Sequence, residues 1–356
     1  MKLKSMKNNM YIKYSIIIPT LNHSSKLKQC LSHLSELAFE PDLFEVLVVD
    51  NGSTDDTKEI SLSFHKTIKN LRYIFCESPG LMAARHRGCD EAKGEILCYI
   101  DDDSLVTRDW LKGMAESFSD EKVVLVGGPC IPKYEIEPPE WIEYFWSKTE
   151  FGRCNGFLSL LDFGEKIQYI PPTYVYGCNY SIRKRILLDI GGTYPDYLPE
   201  KYRKFQGCGE TGVAHKVKKF GKTLYNPKVK IYHIVPESRM TIDYFCWRAY
   251  FQGIGSSFMN IRRKHNLNLI NTESKKELLI TFLRKVVRKI LSIIGRIKNH
   301  ILSNESKEIR EIRNIINKSR QEGFLYHQSE VKKDPKLLEW VLRENYLDKN
   351  GNLPLK

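Results

Sequence analysis

The sequence contains no Cys-x-x-Cys pair, no glycine-rich phosphate loop and no long apolar run. Each absence narrows the field. Nine scattered cysteines argue against a zinc site or a disulfide framework, and for reduced thiols in a cytosolic compartment. A membrane-spanning helix needs about 20 apolar residues, and no run approaches that length. Lys13 interrupts the first apolar stretch, so no signal peptide is apparent. Without a phosphate loop of either common type, the diphosphate of any bound nucleotide must be neutralised by metal and side chains. Internal repeats and low-complexity segments are also missing.

What is present begins with charge. The net charge is +13 over 356 residues, and it is unevenly placed. Residues 1–260 hold 34 Lys/Arg against 32 Asp/Glu, whereas residues 261–356 hold 22 against 11. The basic character therefore belongs to a C-terminal extension, which suggests an anionic surface as partner. The expected division is a catalytic domain over 1–260 and a basic, mainly helical extension over 261–356.

The first half alternates two periodicities. Strands are expected over residues 14–19, 44–50, 71–76, 95–100 and 123–126. Amphipathic helices are expected over 25–37, 55–67, 79–92 and 108–118, with Pro79 in a first turn. In the first of these, Leu27, Cys30, Leu31, Leu34 and Leu37 recur at helical spacing. The alternation predicts an α/β fold, a mostly parallel sheet covered by helices. Residues 129–172 are irregular and rich in aromatics, among them Trp141, Phe145 and Phe157, and read mainly as packed core. Beyond them, strands are expected over 174–180, 223–225 and 229–235. Helices are expected over 183–190, 211–220 and 241–258.

Asp101, Asp102 and Asp103 follow the apolar run Ile96-Leu97-Cys98-Tyr99-Ile100. Adjacent carboxylates repel, and three at the open end of a buried strand suit a hard divalent ion that bridges to phosphates. The plainer alternative is a solvated loop with Asp103-Ser104 capping a helix. The first two strands also end in polar loops, Pro19-Thr20-Leu21-Asn22 and Asp50-Asn51-Gly52-Ser53-Thr54-Asp55. All three loops fall at the carboxyl edge of the sheet, where open α/β folds bind ligands. Ser53 or Thr54 also suits a helix cap.

These runs, with Ala84-Arg85-His86-Arg87-Gly88 and Lys93-Gly94-Glu95, resemble family 2 glycosyltransferases over roughly residues 12–260. The resemblance implies a GT-A fold, a Rossmann-like nucleotide-diphospho-sugar transferase domain. Asp50 would bind the base, and Pro19 and Thr20 would lie along the nucleoside, with Asn22 and Ser53 beside them. Arg85 would support the base or phosphates. Asp101 and Asp102 would face the ribose or sugar, and Asp103 would hold a divalent Mn²⁺ or Mg²⁺ ion. His86 stands where the family usually has Asn.

Proton removal from an acceptor hydroxyl needs a positioned base. Gly207-Cys208-Gly209-Glu210-Thr211 resembles the family's second acidic motif, with Glu210 at its second acidic position and Gly209 at the first. Glu210 is the expected base; the alternative is a favourable charge at a helix N-terminus. The resemblance further implies that His233 contacts the metal or diphosphate, that Arg239 meets a phosphate, and that Asn179 lies near the sugar.

The implied activity is inverting, metal-dependent transfer from a nucleotide-sugar, commonly a UDP-sugar, to a glycan or lipid-linked acceptor. Residues 277–298 carry Leu279, Phe282, Leu283, Val286 and Ile290 among Arg284, Lys285, Arg288 and Lys289. This reads either as a helix packed on the domain or as an interfacial helix on anionic lipid. Peripheral attachment at the inner face of the membrane is expected, and nucleic acid is not. The rival readings are a sugar-1-phosphate nucleotidyltransferase, which lacks support because the first loop is not glycine-rich and basic, and an inactive sugar-binding protein on the same fold.

Overall fold

A computed structural model describes residues 11–265 and 306–347. The expected helix over 277–298 lies outside the described residues.

The strands are β1 (Tyr14–Thr20), β2 (Phe44–Asp50), β3 (Leu71–Phe75), β4 (Ile96–Ile100), β5 (Ser104–Val106), β6 (Val123–Gly127) and β7 (Cys130–Tyr134). They continue with β8 (Ser147–Lys148), β9 (Arg153–Asn155), β10 (Leu160–Asp162), β11 (Gln168–Tyr169), β12 (Asn179–Arg183), β13 (Lys222–Tyr225) and β14 (Ile231–Val235). The helices are α1 (Ser24–Ser35), α2 (Thr57–Ser63), α3 (Leu81–Glu91), α4 (Trp110–Ser117), α5 (Lys184–Asp189), α6 (Glu210–Val217), α7 (Ile242–Lys264), α8 (Lys307–Lys333) and α9 (Pro335–Leu342).

An eight-stranded sheet runs β11-β13-β6-β12-β4-β1-β2-β3, and a six-stranded sheet runs β5-β14-β7-β10-β9-β8. β1 pairs in parallel with both β2 and β4, and β2 with β3. Every residue of β1, β2 and β4 is buried, which is why these strands read as continuous apolar runs rather than alternating ones. Thr20 stands opposite Asp50, and Asp50 opposite Phe75. This register brings the ends of β1 and β2, and the triplet after β4, to one edge of the sheet. The second sheet hangs on the triplet: the Ile234 amide donates to the Asp103 carbonyl at 2.9 Å, and β5 pairs with β14.

Several local expectations are corrected. Ser104 opens strand β5 and caps no helix. α2 begins at Thr57, and the Asp55 carboxylate accepts from its amide at 3.2 Å; Ser53 and Thr54 bond Asn22 instead. Pro79 lies outside α3, because Gly80 (φ +103) turns the chain first. Of residues 174–180 only the last two form strand: a proline-led turn spans Pro172–Tyr174, and β12 starts at Asn179. From its sequence the tail after Asn304 reads as helical, ending near Gln321-Glu322-Gly323, but α8 runs on to Lys333. Gly323 is a crossing point. A Cβ there would sit 2.0 Å from the Tyr250 carbonyl oxygen of α7, and a Cβ on Gly253 would sit 2.0 Å from the Arg320 carbonyl oxygen. The two bare positions let the α7 and α8 backbones touch.

The aromatic middle segment packs, as expected. Trp141, Phe145 and Phe157 surround Phe245 of α7, with ring centroids at 4.8, 5.2 and 4.7 Å. The C-terminal stretch is tied to the body through Arg262. This fully buried guanidinium donates to the Val341 and Arg343 carbonyls at 2.6 Å each. Among the described residues, no helix is long and apolar enough to cross a membrane.

Candidate active site

A cavity of about 610 Å³ opens at the carboxyl edge of the large sheet. It gathers nine of the expected residues: Pro19, Thr20, Arg85, Asp101, Asp102, Asp103, Glu210, His233 and Arg239. Their arrangement follows from the strand ends and one helix. α3 carries Arg85 beneath the sheet edge, where it is almost wholly buried. Its Nη2 lies 3.4 Å from Asp101 Oδ1, and its Nη1 lies 3.5 Å from Glu210 Oε2. One cation thus joins the strand-end acids to the lone carboxylate at the start of α6. Gly177 makes room for it, since a Cβ there would fall 2.5 Å from Arg85 Nη2. The Gly177 amide also donates to Glu210 Oε1 at 3.3 Å.

The three aspartates have separate environments. Asp102 is spent on structure: Thr20 donates to its Oδ2 at 2.7 Å, and His23 Nδ1 lies 3.1 Å from its Oδ1. Burial raises the Asp102 carboxyl, and the hydrogen bond from His23 opposes the rise. Burial likewise raises Asp101, with Arg85 opposing. Asp103 goes the other way. Burial would raise it, but His233 and Arg239 outweigh burial and hold it well below the usual carboxylate range. Arg239 Nη2 sits 2.8 Å from Asp103 Oδ2, and His233 Nε2 sits 3.2 Å from Oδ1.

That pair bears on a metal. His233 Nδ1 lies 3.0 Å from the Leu158 carbonyl, so Nδ1 carries the proton, and in the neutral ring Nε2 presents a lone pair. It faces the buried Asp103 Oδ1, which accepts no hydrogen bond. Arg239 Nη1 also lies 3.3 Å from His233 Nε2, so a divalent cation takes these two acceptors only in exchange for the guanidinium. Among the described residues no three His, Cys, Asp or Glu side chains form a complete shell. A cation held there needs further oxygens from elsewhere, as Mg²⁺ and Mn²⁺ usually take from phosphates and water.

Four expected residues lie elsewhere. Asp50 is buried and committed: its Oδ1 accepts from the Gly52 and Ser53 amides at 3.1 and 2.8 Å, and its Oδ2 from the Tyr73 hydroxyl at 2.7 Å. Asn22 and Ser53 stitch the first two loops together, the Asn22 amide donating to Ser53 Oγ at 2.9 Å. Asn179 is buried between Trp110 Nε1 and the Val229 carbonyl, at 3.0 and 2.8 Å.

Sequence reasoning missed Asp196. Gly209 adopts φ +50, and a Cβ built on it would fall 2.3 Å from Asp196 Oδ2. The carboxylate absent at position 209 is therefore supplied in space by a loop thirteen positions upstream. His86 pins that loop: its Nε2 accepts from the Thr193 amide at 3.0 Å, and burial lowers its pKa to about 4, which keeps it neutral for the task. Burial, reinforced by Glu210, raises Asp196 to about 7 despite Arg85 and Arg248. Tyr197, Tyr244 and Trp247 form an aromatic wall opposite the acids, with Tyr244 stacked on Trp247 at 5.8 Å. Only the aromatic content of α7 was a sequence signal for that wall.

With this geometry in place, a family model agrees. Residues 15–188 match the model of "Glycosyl transferase family 2". Over that stretch, just under half of its length, the chain is similar to family 2 glycosyl transferases. Its transferase region is 37% identical over 115 residues to "Glycosyltransferase AglE" of Haloferax volcanii, covering 32% of this chain and 38% of that protein. A second Haloferax volcanii protein, "Glucosyl-dolichyl phosphate glucuronosyltransferase", is 22% identical over 70% of this chain and 78% of its own length. "Poly(ribitol-phosphate) beta-N-acetylglucosaminyltransferase TarS" of Staphylococcus aureus is 33% identical over 31% of this chain and 19% of its own. The chain therefore spans well under half the length of two of these three relatives. A solved structure, the mannosyltransferase PcManGT of Pyrobaculum calidifontis, is a distant likeness: TM-score 0.49 at 16% identity, covering 94% of this chain and 84% of that one.

Proposed function

We propose that this protein is an inverting glycosyltransferase that moves a sugar from a nucleotide diphosphate donor to a hydroxyl of a glycan or lipid-linked acceptor. The observation that carries the reading is Arg85, which links Asp101 to Glu210 inside one cavity. A donor phosphate group and a deprotonating carboxylate thereby share a chamber. Glu210 takes the proton of the acceptor hydroxyl, whose oxygen attacks the anomeric carbon. The bond from that carbon to the diphosphate breaks in the same displacement, so the configuration inverts. Arg239 is placed to meet the departing phosphate charge, and Arg85 holds Glu210 in position through their ion pair. Asp103 and His233 would hold a divalent ion, which supplies Lewis-acid stabilisation of phosphate oxygens when bound.

A UDP-sugar is the favoured donor, as an expectation from the family resemblance. Two relatives are named for phosphate-bearing acceptors, a glucosyl-dolichyl phosphate and a poly(ribitol phosphate), which supports a lipid-linked or polymer acceptor. Residues 1–260 are taken as the catalytic domain and 261–356 as the extension. Peripheral attachment of residues 277–298 to the inner face of the membrane completes the reading; salt-sensitive co-sedimentation with anionic vesicles checks it.

The test is a thermal-shift screen of nucleoside diphosphates with and without Mg²⁺ or Mn²⁺. A metal-dependent rise with one nucleotide, lost in Asp103→Ala, is expected. No rise with any nucleotide would overturn the proposal.

A further inference from the structure

Helix α7 turns aromatic side chains two ways. Phe245 is fully buried and packs on Trp141, Phe145 and Phe157. Tyr244, Trp247, Arg248 and Phe251 have the spacing of one helix face, and all four line the active-site cavity. Trp247 is the centre of this wall, its ring centroid 5.8 Å from that of Tyr244 and 4.8 Å from that of Phe251. Tyr197 joins from the loop beside Asp196, 5.8 Å from Trp247. A packed core hides its aromatics, yet Trp247 is 41% exposed and Tyr197 43%. Exposed aromatics gathered at a cavity mark a binding surface.

The backbone supports this. Tyr197 is held in the left-handed region, at φ +46, which a bulky residue rarely adopts. Its surroundings enforce the conformation: Asp196 Oδ1 accepts from the Tyr197 amide at 3.0 Å and from Gln206 Nε2 at 2.7 Å, and Arg248 donates to the Tyr197 hydroxyl. Strain of this kind gathers at functional sites. Polar groups edge the wall. Arg248 Nε is buried with no hydrogen-bond partner, and Asp196 and Glu210 line the same cavity. Aromatic faces carry partial negative charge. They suit a ring whose faces present C–H bonds, while the polar edge suits hydroxyls around that ring. A pyranose sugar has both. An alkyl chain would cover the rings but leave the polar edge unpaired.

We propose that Tyr197, Tyr244 and Trp247 form the acceptor subsite of this cavity, and that it takes a pyranose ring of a glycan. The inference rests on the reading of the cavity as the transferase site and deepens it. The attacking hydroxyl then belongs to a sugar ring, not to a bare lipid alcohol. Stacking fixes the plane of that ring, so that one of its hydroxyls is presented to Glu210. The strand-end acids on the opposite side stay with the donor.

The experiment is saturation-transfer NMR on the full chain with a panel of methyl hexopyranosides and with hexanol. Saturating nucleoside diphosphate and Mg²⁺ keep the donor side filled. At least one glycoside is expected to bind, with the strongest saturation on its ring C–H protons, and hexanol is not. Trp247→Leu keeps apolar bulk but removes the flat ring, and should weaken that glycoside roughly tenfold, the order of one stacking contact. Trp247→Phe keeps a ring and should stay within about threefold of the parent. Nucleoside diphosphate affinity, measured by calorimetry, should be that of the parent in both. Should Trp247→Leu fail to fold, Tyr244→Leu carries the test. No glycoside binding, hexanol binding as well as the best glycoside, or parent-like glycoside binding by the leucine variant overturns the proposal. So does weaker nucleotide binding with glycoside binding unchanged, which would give the wall to the base of the donor. Absence of nucleotide binding in the parent is a separate outcome: it removes the donor-site reading, and the glycosides are then titrated alone.

Discussion

The two cavities that meet at Glu210 hold their charges in opposite ways. On the sheet side nearly every charge is tied: Asp103 to His233 and Arg239, Asp102 to His23 and Thr20, and Asp101 to Arg85. On the helix side, in a cavity of about 600 Å³ lined by α6, α7 and α8, Arg320 donates only to neutral amides, while Arg248 faces Asp196 and Glu210 without a direct ion pair. A site tied in advance has its geometry fixed before a ligand arrives, which suits bond-breaking chemistry. The contrast also follows the architecture. The first cavity is set by strand register, the second by a helix crossing.

The largest effect should come from the carboxylate between the two. Glu210→Gln should lower kcat about 10³-fold, within the range for loss of a general base, while nucleoside diphosphate affinity measured by calorimetry stays within about twofold. A fully active variant would move the base elsewhere, to Asp196 first.

Gly177→Ala probes the tied side alone. Its Cβ would sit 2.5 Å from Arg85 Nη2, so the guanidinium must leave the bridge. Transfer should fall about 10²-fold, the order expected for an ångström-scale displacement. The melting temperature should change little, because the displaced atom is the end of a long side chain.

Gly323→Ala probes the helix side alone. Alanine favours a helix interior by about 1 kcal/mol, but here the Cβ would meet the Tyr250 carbonyl oxygen at 2.0 Å. Forcing two backbones apart costs about 1–3 kcal/mol, so a net loss near 1 kcal/mol is expected in chemical denaturation. Nucleotide binding should persist. Its loss would show that the two chambers are not separable.

A pH-dependent effect concerns Asp196. Its folded pKa of about 7 exceeds the ordinary 3.8, so the protonated form stabilises the fold. That contribution is complete below about pH 4 and is lost as pH rises to about 7. Asp196→Asn should therefore match the parent at pH 4 and exceed it at pH 8 by about 1–2 kcal/mol, allowing for partial exposure. Thermal melts across that range check it. A parent-like profile would mean that Arg85 and Arg248 keep the carboxylate ionised.

How much of this was legible in the sequence differs between the two sides. The acid-bearing sheet edge was readable because each strand ends in its own polar loop, and parallel pairing brings such ends together. Thr20, Arg85, Asp103, Glu210 and His233 follow from that rule and the family motifs. Asp50, Asn22, Ser53 and Asn179 sit in equally polar contexts, but their side chains are used up by nearby amides and by Tyr73 and Trp110. Local sequence cannot show which partners a side chain meets. The helix side was nearly silent. Gly323 looked like a helix end, because a glycine in a helical pattern gives no sign of a neighbouring backbone. Asp196 gave no signal, since its importance depends on the gap at Gly209.

The sequence by itself determined the alternating fold, the acid-bearing strand edge and the basic bias of the C-terminal third. These depend on periodicity and composition, which are local. The tertiary structure alone decided that Arg85 joins Asp101 to Glu210, that Asp196 fills the place beside Gly209, and that α8 walls a second chamber. Each depends on segments far apart in the chain meeting at ångström precision, and only the packed fold sets those distances.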